Sequence, residues 1–259
     1  MTGNEFNQKL HAGELLLGTA ITNPSPIWTR LAKDLDLDFV FIDSEHWPFT
    51  RNELANLCQI YGAMGIIPMV RIPHPDATLA CMTLDAGAWG IVAPYVESVE
   101  QVQELVGAVK YSPLKGKVLL DGLQFDHWKS ATRQYLDNRN AHRSVIVNIE
   151  SIPAIENLSQ LAAVPGVDAL LIGPHDLSIS LGIPEQYDHP LFEENAEKII
   201  ETARANGLGA GIHSWWSIKH EKALMKKGLN LLVHASDFIA AKTKLSHDFE
   251  VLRRIESPH

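Results

Sequence analysis

Short runs of apolar, mostly β-branched residues punctuate the chain at residues 15–21, 39–46, 67–72, 90–96, 145–151, 169–178, 208–214 and 229–234. Each is too short for a helix and is bounded by turn formers, the pattern of a strand buried on both faces. Between these runs apolar positions recur at helical spacing. Ile27, Leu31 and Leu35 mark a first helix, Thr50 with Glu53 forms a capping box for a second, and Pro75 with Asp76 opens a third that runs to Gly87. Further helices are expected at about 99–110, 153–163, 190–206, 218–227 and 237–252. Eight strands alternating with eight helices in 259 residues is the arithmetic of an α/β chain folded as a (β/α)8 TIM barrel, read as one domain over residues 1–259. A doubly wound open sheet is the competitor. It announces a nucleotide site by a glycine-rich turn after its first strand, whereas here that loop is Thr-Asn-Pro-Ser-Pro at 22–26, and Gly207, Gly209 and Gly211 precede a strand.

The pattern breaks between about residues 111 and 143, a polar stretch with aromatic spots at 125–128 and Tyr135 that reads as an insertion-like loop region. The last helix carries an apolar face that includes Phe249 and Leu252, for which packing on its own barrel is the default reading.

Composition narrows the function. With 46% hydrophobic and 20% charged residues the chain can bury one sizeable core. A net charge of −9, with no run of Lys and Arg, argues against a nucleic-acid surface, although a metal and an arginine can reverse the sign locally for an acidic substrate. Cys58 and Cys81 lie in apolar helical patterns and read as buried thiols, with no disulfide framework and no cysteine zinc site. The first residues lack the basic start and apolar stretch of a signal peptide, and nowhere do about 18 apolar residues run together. The expectation is a soluble, cytoplasmic protein with no membrane and no nucleic-acid partner.

Chemistry in such a barrel lies where strands end and βα loops begin. The fifth and sixth runs lead to Glu150 and Asp176, carboxylates at the mouths of neighbouring strands and a pair of oxygen donors suited to a hard cation such as Mg²⁺. The second run delivers Asp43, Glu45 and His46, the third Arg71, the sixth also His175, the seventh His213, and the eighth His234, Ser236 and Asp237. A polar rim is ordinary on a soluble barrel, so any one of these taken alone is more often structural than catalytic. Arg71, directly after Pro-Met-Val, needs an anion nearby because a buried guanidinium cannot lose its proton. An internal salt bridge to Asp43 or Glu45 and direct substrate contact are both open. His46 alone would be a surface residue flanking a helix, but it shares this end with Arg71 and Glu150, and neutral imidazole is the natural base near neutral pH. A zinc site from His175, His213 and His234 has no local spacing signature behind it. None of the expected strands ends on a lysine, as Schiff-base chemistry would require.

Several stretches resemble a known family, the HpcH/HpaI class II aldolases with phosphoenolpyruvate/pyruvate-type TIM barrels. They are Phe-Ile-Asp-Ser-Glu-His at 41–46, Pro-Met-Val-Arg-Ile-Pro at 68–73, Leu-Asp-Ala-Gly-Ala at 84–88, Val-Ala-Pro-Tyr-Val-Glu-Ser at 92–98, Ile149 with Glu150, Gly-Val-Asp at 166–168 and Ile-Gly-Pro-His-Asp-Leu-Ser at 172–178. The resemblance implies a metal-dependent carbon–carbon lyase that joins or splits pyruvate, or a related 2-keto acid, and an aldehyde. It implies Glu150 and Asp176 as ligands of Mg²⁺, Mn²⁺ or Co²⁺, Arg71 on the keto oxygen as it becomes an enolate, and His46 in proton transfer, oriented by Asp85. Asp43, and with it Glu45, would stand behind Arg71. Gly173, Pro174 and His175 would receive the substrate carboxylate, beside Asn148. Relatives with this signature exchange the last helix, 237–252 here, between subunits, which implies a homo-oligomer from dimer to hexamer. Where the family often has Gln, this chain has Asn148; where it has a small residue before the metal aspartate, it has His175; Trp47 also stands where a small residue is common. Three other readings share the scaffold: an oxaloacetate-type decarboxylase or hydrolase, a CoA-ester lyase, and a non-catalytic oligomeric metabolite-binding protein.

Overall fold

The computed structural model of the chain describes residues 1–125 and 128–254; Asp126 and His127, inside the first aromatic spot, lie outside the described residues. Helix α1 (Gly3–Ala12) precedes β1 (Leu16–Ile21), α2 (Trp28–Asp34), β2 (Phe39–Asp43), α3 (Arg51–Ala63), β3 (Ile67–Arg71), α4 (Ala77–Asp85) and β4 (Gly90–Ala93). Helices α5 (Val99–Lys110), α6 (Gly116–Phe125) and α7 (Ser130–Asn140) lead to β5 (Ser144–Ile149), and α8 (Ile152–Glu156) and α9 (Leu158–Ala162) to β6 (Ala169–Ile172). The chain ends with α10 (Pro174–Ser180), α11 (Pro190–Ala205), β7 (Gly209–Ser214), α12 (Ile218–Lys226), β8 (Leu231–Ser236) and α13 (Asp237–Arg253). All eight strands pair in parallel in chain order, and β8 returns to β1, so the sheet closes as the expected TIM barrel.

The side-chain period of a strand is two, and that period decides which residues face the lumen. Phe39, Phe41, Ile67, Met69, Ile146, Ala169, Leu171, Leu231 and Val233 pack together inside the barrel. Continuing the same alternation one step toward the C-terminal mouth gives Asp43 on β2, Arg71 on β3, Asn148 and then Glu150 after Ile146, Gly173 after Leu171, and His213 beyond Gly209 and Gly211. The apolar interior therefore ends in one polar layer at the mouth. Gly18 makes room below it: a Cβ there would sit 2.7 Å from the ring of Phe39.

Several elements differ from the expectation. Helix α1 lies ahead of the first strand and plugs the other end of the barrel with Phe6 and Leu10, both fully buried, Phe6 meeting Phe39 edge-on at 5.8 Å. Its signal was a capping box between Thr2 and Glu5. The stretch 111–143 holds α6 and α7 rather than a loop. Helix α7 buries only Leu136 and Asn140, so it shows almost no apolar stripe; it is anchored by the Asn140 side chain donating to the carbonyls of Lys110 and Ser112, 2.9 and 2.8 Å. The helix expected at 153–163 is broken at Asn157, whose side-chain amide donates to the Glu97 carbonyl, 2.8 Å. The apolar positions of α13 do not cover its own barrel: Phe238, Leu245, Phe249, Val251 and Leu252 all stand about half exposed, and Asp237 is its only buried residue. The stripe of α2 behaves alike, with Ile27, Leu31 and Leu35 facing out. Among the described residues no helix is long and apolar enough to cross a membrane.

Candidate active site

Arg71 organises one half of the mouth. Its guanidinium is buried and donates twice to Asp43, Nε to Oδ1 at 2.9 Å and Nη2 to Oδ2 at 2.7 Å, while Nε lies 3.2 Å from Glu45 Oε2. The internal salt bridge weighed from the sequence is thus present, in the bidentate form an arginine fork favours. Burial by itself would raise the Asp43 carboxyl, but the hydrogen bond and charge of Arg71 more than reverse it, so Asp43 lies below the ordinary carboxylate value. Glu45 goes the other way, burial holding it above its ordinary value.

Nη2 of Arg71 also lies 2.8 Å from Nδ1 of His46. A guanidinium only donates, so Nδ1 accepts and the neutral ring carries its proton on Nε2. The side chain of His46 is 58% exposed, open to whatever enters the mouth.

Glu150 and Asp176 form the other half. Glu150, one residue past β5, is 2% exposed and accepts from the Asn148 side-chain amide at 2.5 Å and from the main-chain N–H of Tyr95 at 2.8 Å. A Cβ at Gly173 would fall 2.4 Å from Glu150 Cγ, so only glycine lets this side chain pass between β5 and β6. Burial pushes the Glu150 carboxyl up to about 7; the Tyr95 N–H and Arg71 pull against this, and Asp176 and Glu45 add to it. Asp176 sits in the first turn of α10 and accepts from the phenol of Tyr95, 3.0 Å. Tyr95 therefore touches both carboxylates. The strand-end reading passed over it because it stopped at strands two, three and five to eight; the end of the fourth, Ala-Pro-Tyr, was the signal.

The remaining candidates divide. Asn148 and Pro174 are buried beside Glu150 and Asp176, and Gly173 with them, whereas the half-exposed His175 turns to Glu185, 3.6 Å away. Asp85 does not join the cluster within one chain. It is exposed at the C-terminal end of α4, which runs back antiparallel to the strands and so ends at the opposite face of the barrel, where it faces Arg143. The ring of His46 is held by Arg71 instead. The three-histidine reading also dissolves: His175 meets Glu185, His213 Nε2 lies 3.1 Å from the Ala235 carbonyl, and His234 Nδ1 lies 2.8 Å from Glu221.

His213, between Phe41 and Trp215, has its pKa lowered to about 4, by burial first and by the Arg71 charge second. The unfolded ring titrates near 6.5 and takes up a proton that the folded ring refuses, so His213 contributes stability above that pH and this contribution is lost as pH falls toward 4. By pH 4 the loss approaches about 3 kcal/mol. We expect His213→Asn to flatten the fall in unfolding free energy between pH 7 and 4.5 in urea titrations; an unchanged slope would mean that the ring does not resist protonation.

Two groups of three potential metal-binding side chains come within 4.8 Å of one another among the described residues, Asp43–Glu45–His46 and Asp188–Glu193–His220. The first already contains a cation, the guanidinium of Arg71, and the second is mostly exposed. Glu150 and Asp176 have no guanidinium or ammonium within ion-pair distance among the described residues, and are the better-placed pair of hard oxygen donors.

Residues 22–240 match the family model for HpcH/HpaI aldolase/citrate lyase. The chain is 32% identical to the hydroxypyruvate/pyruvate aldolase of Pseudomonas aeruginosa over 212 residues, 82% of this chain and 79% of the relative. It is 30% identical to the 2-keto-3-deoxy-L-rhamnonate aldolase of Klebsiella pneumoniae subsp. pneumoniae over 211 residues, again 82% and 79% of the two chains. Among solved structures it is similar to the HpcH/HpaI aldolase from Desulfitobacterium hafniense DCB-2, with a TM-score of 0.84 and 29% identity across 97% of this chain and 98% of that one.

Proposed function

The chain belongs to the HpcH/HpaI aldolase/citrate lyase family, and on that premise we propose that it is a class II aldolase splitting a 4-hydroxy-2-keto acid into pyruvate, or a related 2-keto acid, and an aldehyde. The observation that carries the mechanistic reading is the pairing of Glu150 and Asp176 on one tyrosine, beside a buried arginine that no strand-end lysine accompanies.

Glu150 and Asp176 would hold a divalent cation, Mg²⁺, Mn²⁺ or Co²⁺. The donor set fits one: two carboxylates that meet on Tyr95 with no cation paired to either among the described residues, burial first and the Asp176 charge in addition keeping Glu150 well above the usual carboxylate range. When bound, such a cation supplies Lewis-acid stabilisation to the 2-keto oxygen. The protein's own groups do the rest. Arg71 faces the same oxygen and stabilises the negative charge it gains when the C3–C4 bond breaks, a contribution of roughly 3–4 kcal/mol by comparison with single donors in oxyanion holes. Asp43 and Glu45 keep the guanidinium from turning away. His46 moves the proton of the 4-hydroxyl. With Nδ1 engaged by Arg71 it presents an N–H, so to accept at Nδ1 it must leave Arg71, which frees an Arg71 N–H for the substrate oxygen. The main chain of Gly173 to Asp176 receives the substrate carboxylate, and Asn148 holds Glu150 in place.

The test is exchange of pyruvate methyl protons with D₂O, followed by NMR. Exchange is expected with Mg²⁺ or Mn²⁺ and is expected to stop with chelator; exchange indifferent to chelator overturns the mechanism.

The exposed apolar face of α13 supports a homo-oligomer. Leu245, Phe249 and Leu252 stand about half exposed on their own barrel, and in the proposed oligomer a second copy would cover them. Phe249→Glu with Leu252→Glu is expected to shift the mass measured by light scattering to that of one chain; an unchanged mass would place the contact elsewhere.

A further inference from the structure

Tyr95 is one of four non-glycine residues with positive φ among the described residues, at 46°. A bulky side chain in the left-handed region is disfavoured and persists only where the surroundings impose it. The conformation has a visible consequence. It turns the main-chain N–H of Tyr95 toward Glu150 Oε2, 2.8 Å, while its side chain reaches across the mouth to place the phenol 3.0 Å from Asp176 Oδ1. The residue is 48% exposed, and its ring stacks on no other ring among the described residues. Packing does not explain the strain.

The two carboxylates repel each other and sit on different elements, Glu150 just past β5 and Asp176 in α10; the pairing of β5 with β6 fixes their backbones but leaves the side chains to be held by other groups. Tyr95 answers both with neutral donors from a single residue. A tyrosine has two side-chain torsions, and with its backbone held just past β4 the distance between N–H and O–H is nearly rigid. A carboxylate that coordinates through one oxygen keeps the other free for such a donor, the arrangement by which outer-shell partners orient metal ligands.

We propose that Tyr95 is the positioning residue that sets the spacing of Glu150 and Asp176 for a divalent cation, its main-chain N–H holding one carboxylate and its phenol the other. This rests on the reading that those two residues bind the cation. Removal of the phenol leaves Asp176 free to swing from Glu150, so affinity falls while folding does not depend on the hydroxyl.

The experiment is calorimetric titration of the full chain with Mn²⁺, together with the visible absorption of the Co²⁺-loaded protein, for wild type, Tyr95→Phe, Tyr95→Gly and Glu150→Gln. Glycine tolerates the left-handed backbone and removes the whole side chain, which guards against an effect of the ring alone. We expect both tyrosine variants to bind Mn²⁺ about tenfold more weakly, with an altered Co²⁺ spectrum and an unchanged melting temperature without metal. The spectrum reports ligand geometry, which a purely structural residue would not move. Glu150→Gln losing the cation while Tyr95→Phe matches wild type in affinity and spectrum overturns the inference and leaves the cation site standing. Glu150→Gln binding as wild type removes the cation site itself, and the role of Tyr95 with it.

Discussion

Glu150→Gln is expected to lower metal-dependent exchange of pyruvate methyl protons by at least about 10³-fold, as loss of a Lewis acid worth several kcal/mol requires. The substitution changes one atom and almost no volume, so its effect isolates charge and donor chemistry. Two donors converge on this carboxylate, the Asn148 amide and the Tyr95 N–H. A glutamine side chain offers one acceptor oxygen and one NH₂ group, so whichever way it turns, one of those donors faces another donor. The cost in stability is about that of one lost hydrogen bond, on the order of 1 kcal/mol, offset by no longer burying a carboxyl. The melting temperature should therefore move little while exchange collapses. Retention of the wild-type exchange rate would mean that this carboxylate does not bind the cation.

Arg71→Met is expected to fail in a different way, losing both activity and stability. The activity loss is roughly 10²–10³-fold in kcat, the effect of deleting one donor aimed at a developing oxyanion. The stability loss is about 3–5 kcal/mol, because Asp43 is left buried without its cation and Glu45 beside it. Its pH dependence has a definite sign. In the wild type Asp43 lies below its unfolded value, so it contributes stability above about pH 4 that fades as pH falls through its folded value. Without Arg71, burial, the largest influence on Asp43, is opposed only by His46 and the main-chain N–H groups of Glu45 and His46, so the carboxyl is expected to rise above its unfolded value and the penalty to be relieved on acidification. Urea unfolding at pH 7 and pH 5 should show the variant's deficit shrinking at the lower pH, and adding Asp43→Asn should restore most of the stability without restoring turnover. A deficit that does not change with pH would mean that the charge of Asp43 is not what Arg71 balances.

Much of this site was legible because a strand's side chains alternate. Once Phe39 and Phe41, or Ile67 and Met69, are read as lumen-facing, the next inward positions are Asp43 and Arg71, and the polar layer at the mouth follows from sequence alone. Glu150 and Asp176 were found in the same way, by asking what each strand delivers where it ends. Asp85 shows the limit of motif reading. Its neighbours resemble those of an aldolase, yet within the chain the direction of α4 carries it to the far face of the barrel. Helix α7 was hidden for a simpler reason: a helix that buries two side chains leaves no stripe to read.

The sequence by itself determined the barrel, its interior, and the residue types that crowd its mouth, because local periodicity and chain direction suffice to order eight parallel strands. Only the tertiary structure decided how those side chains face one another. That Arg71 spends its fork on Asp43 and fixes the tautomer of His46, that Tyr95 bends its backbone to reach two carboxylates, and that α13 turns its apolar residues away from its own barrel are all relations through space. They connect residues separated by tens of positions, and no pattern along the chain encodes a distance across it.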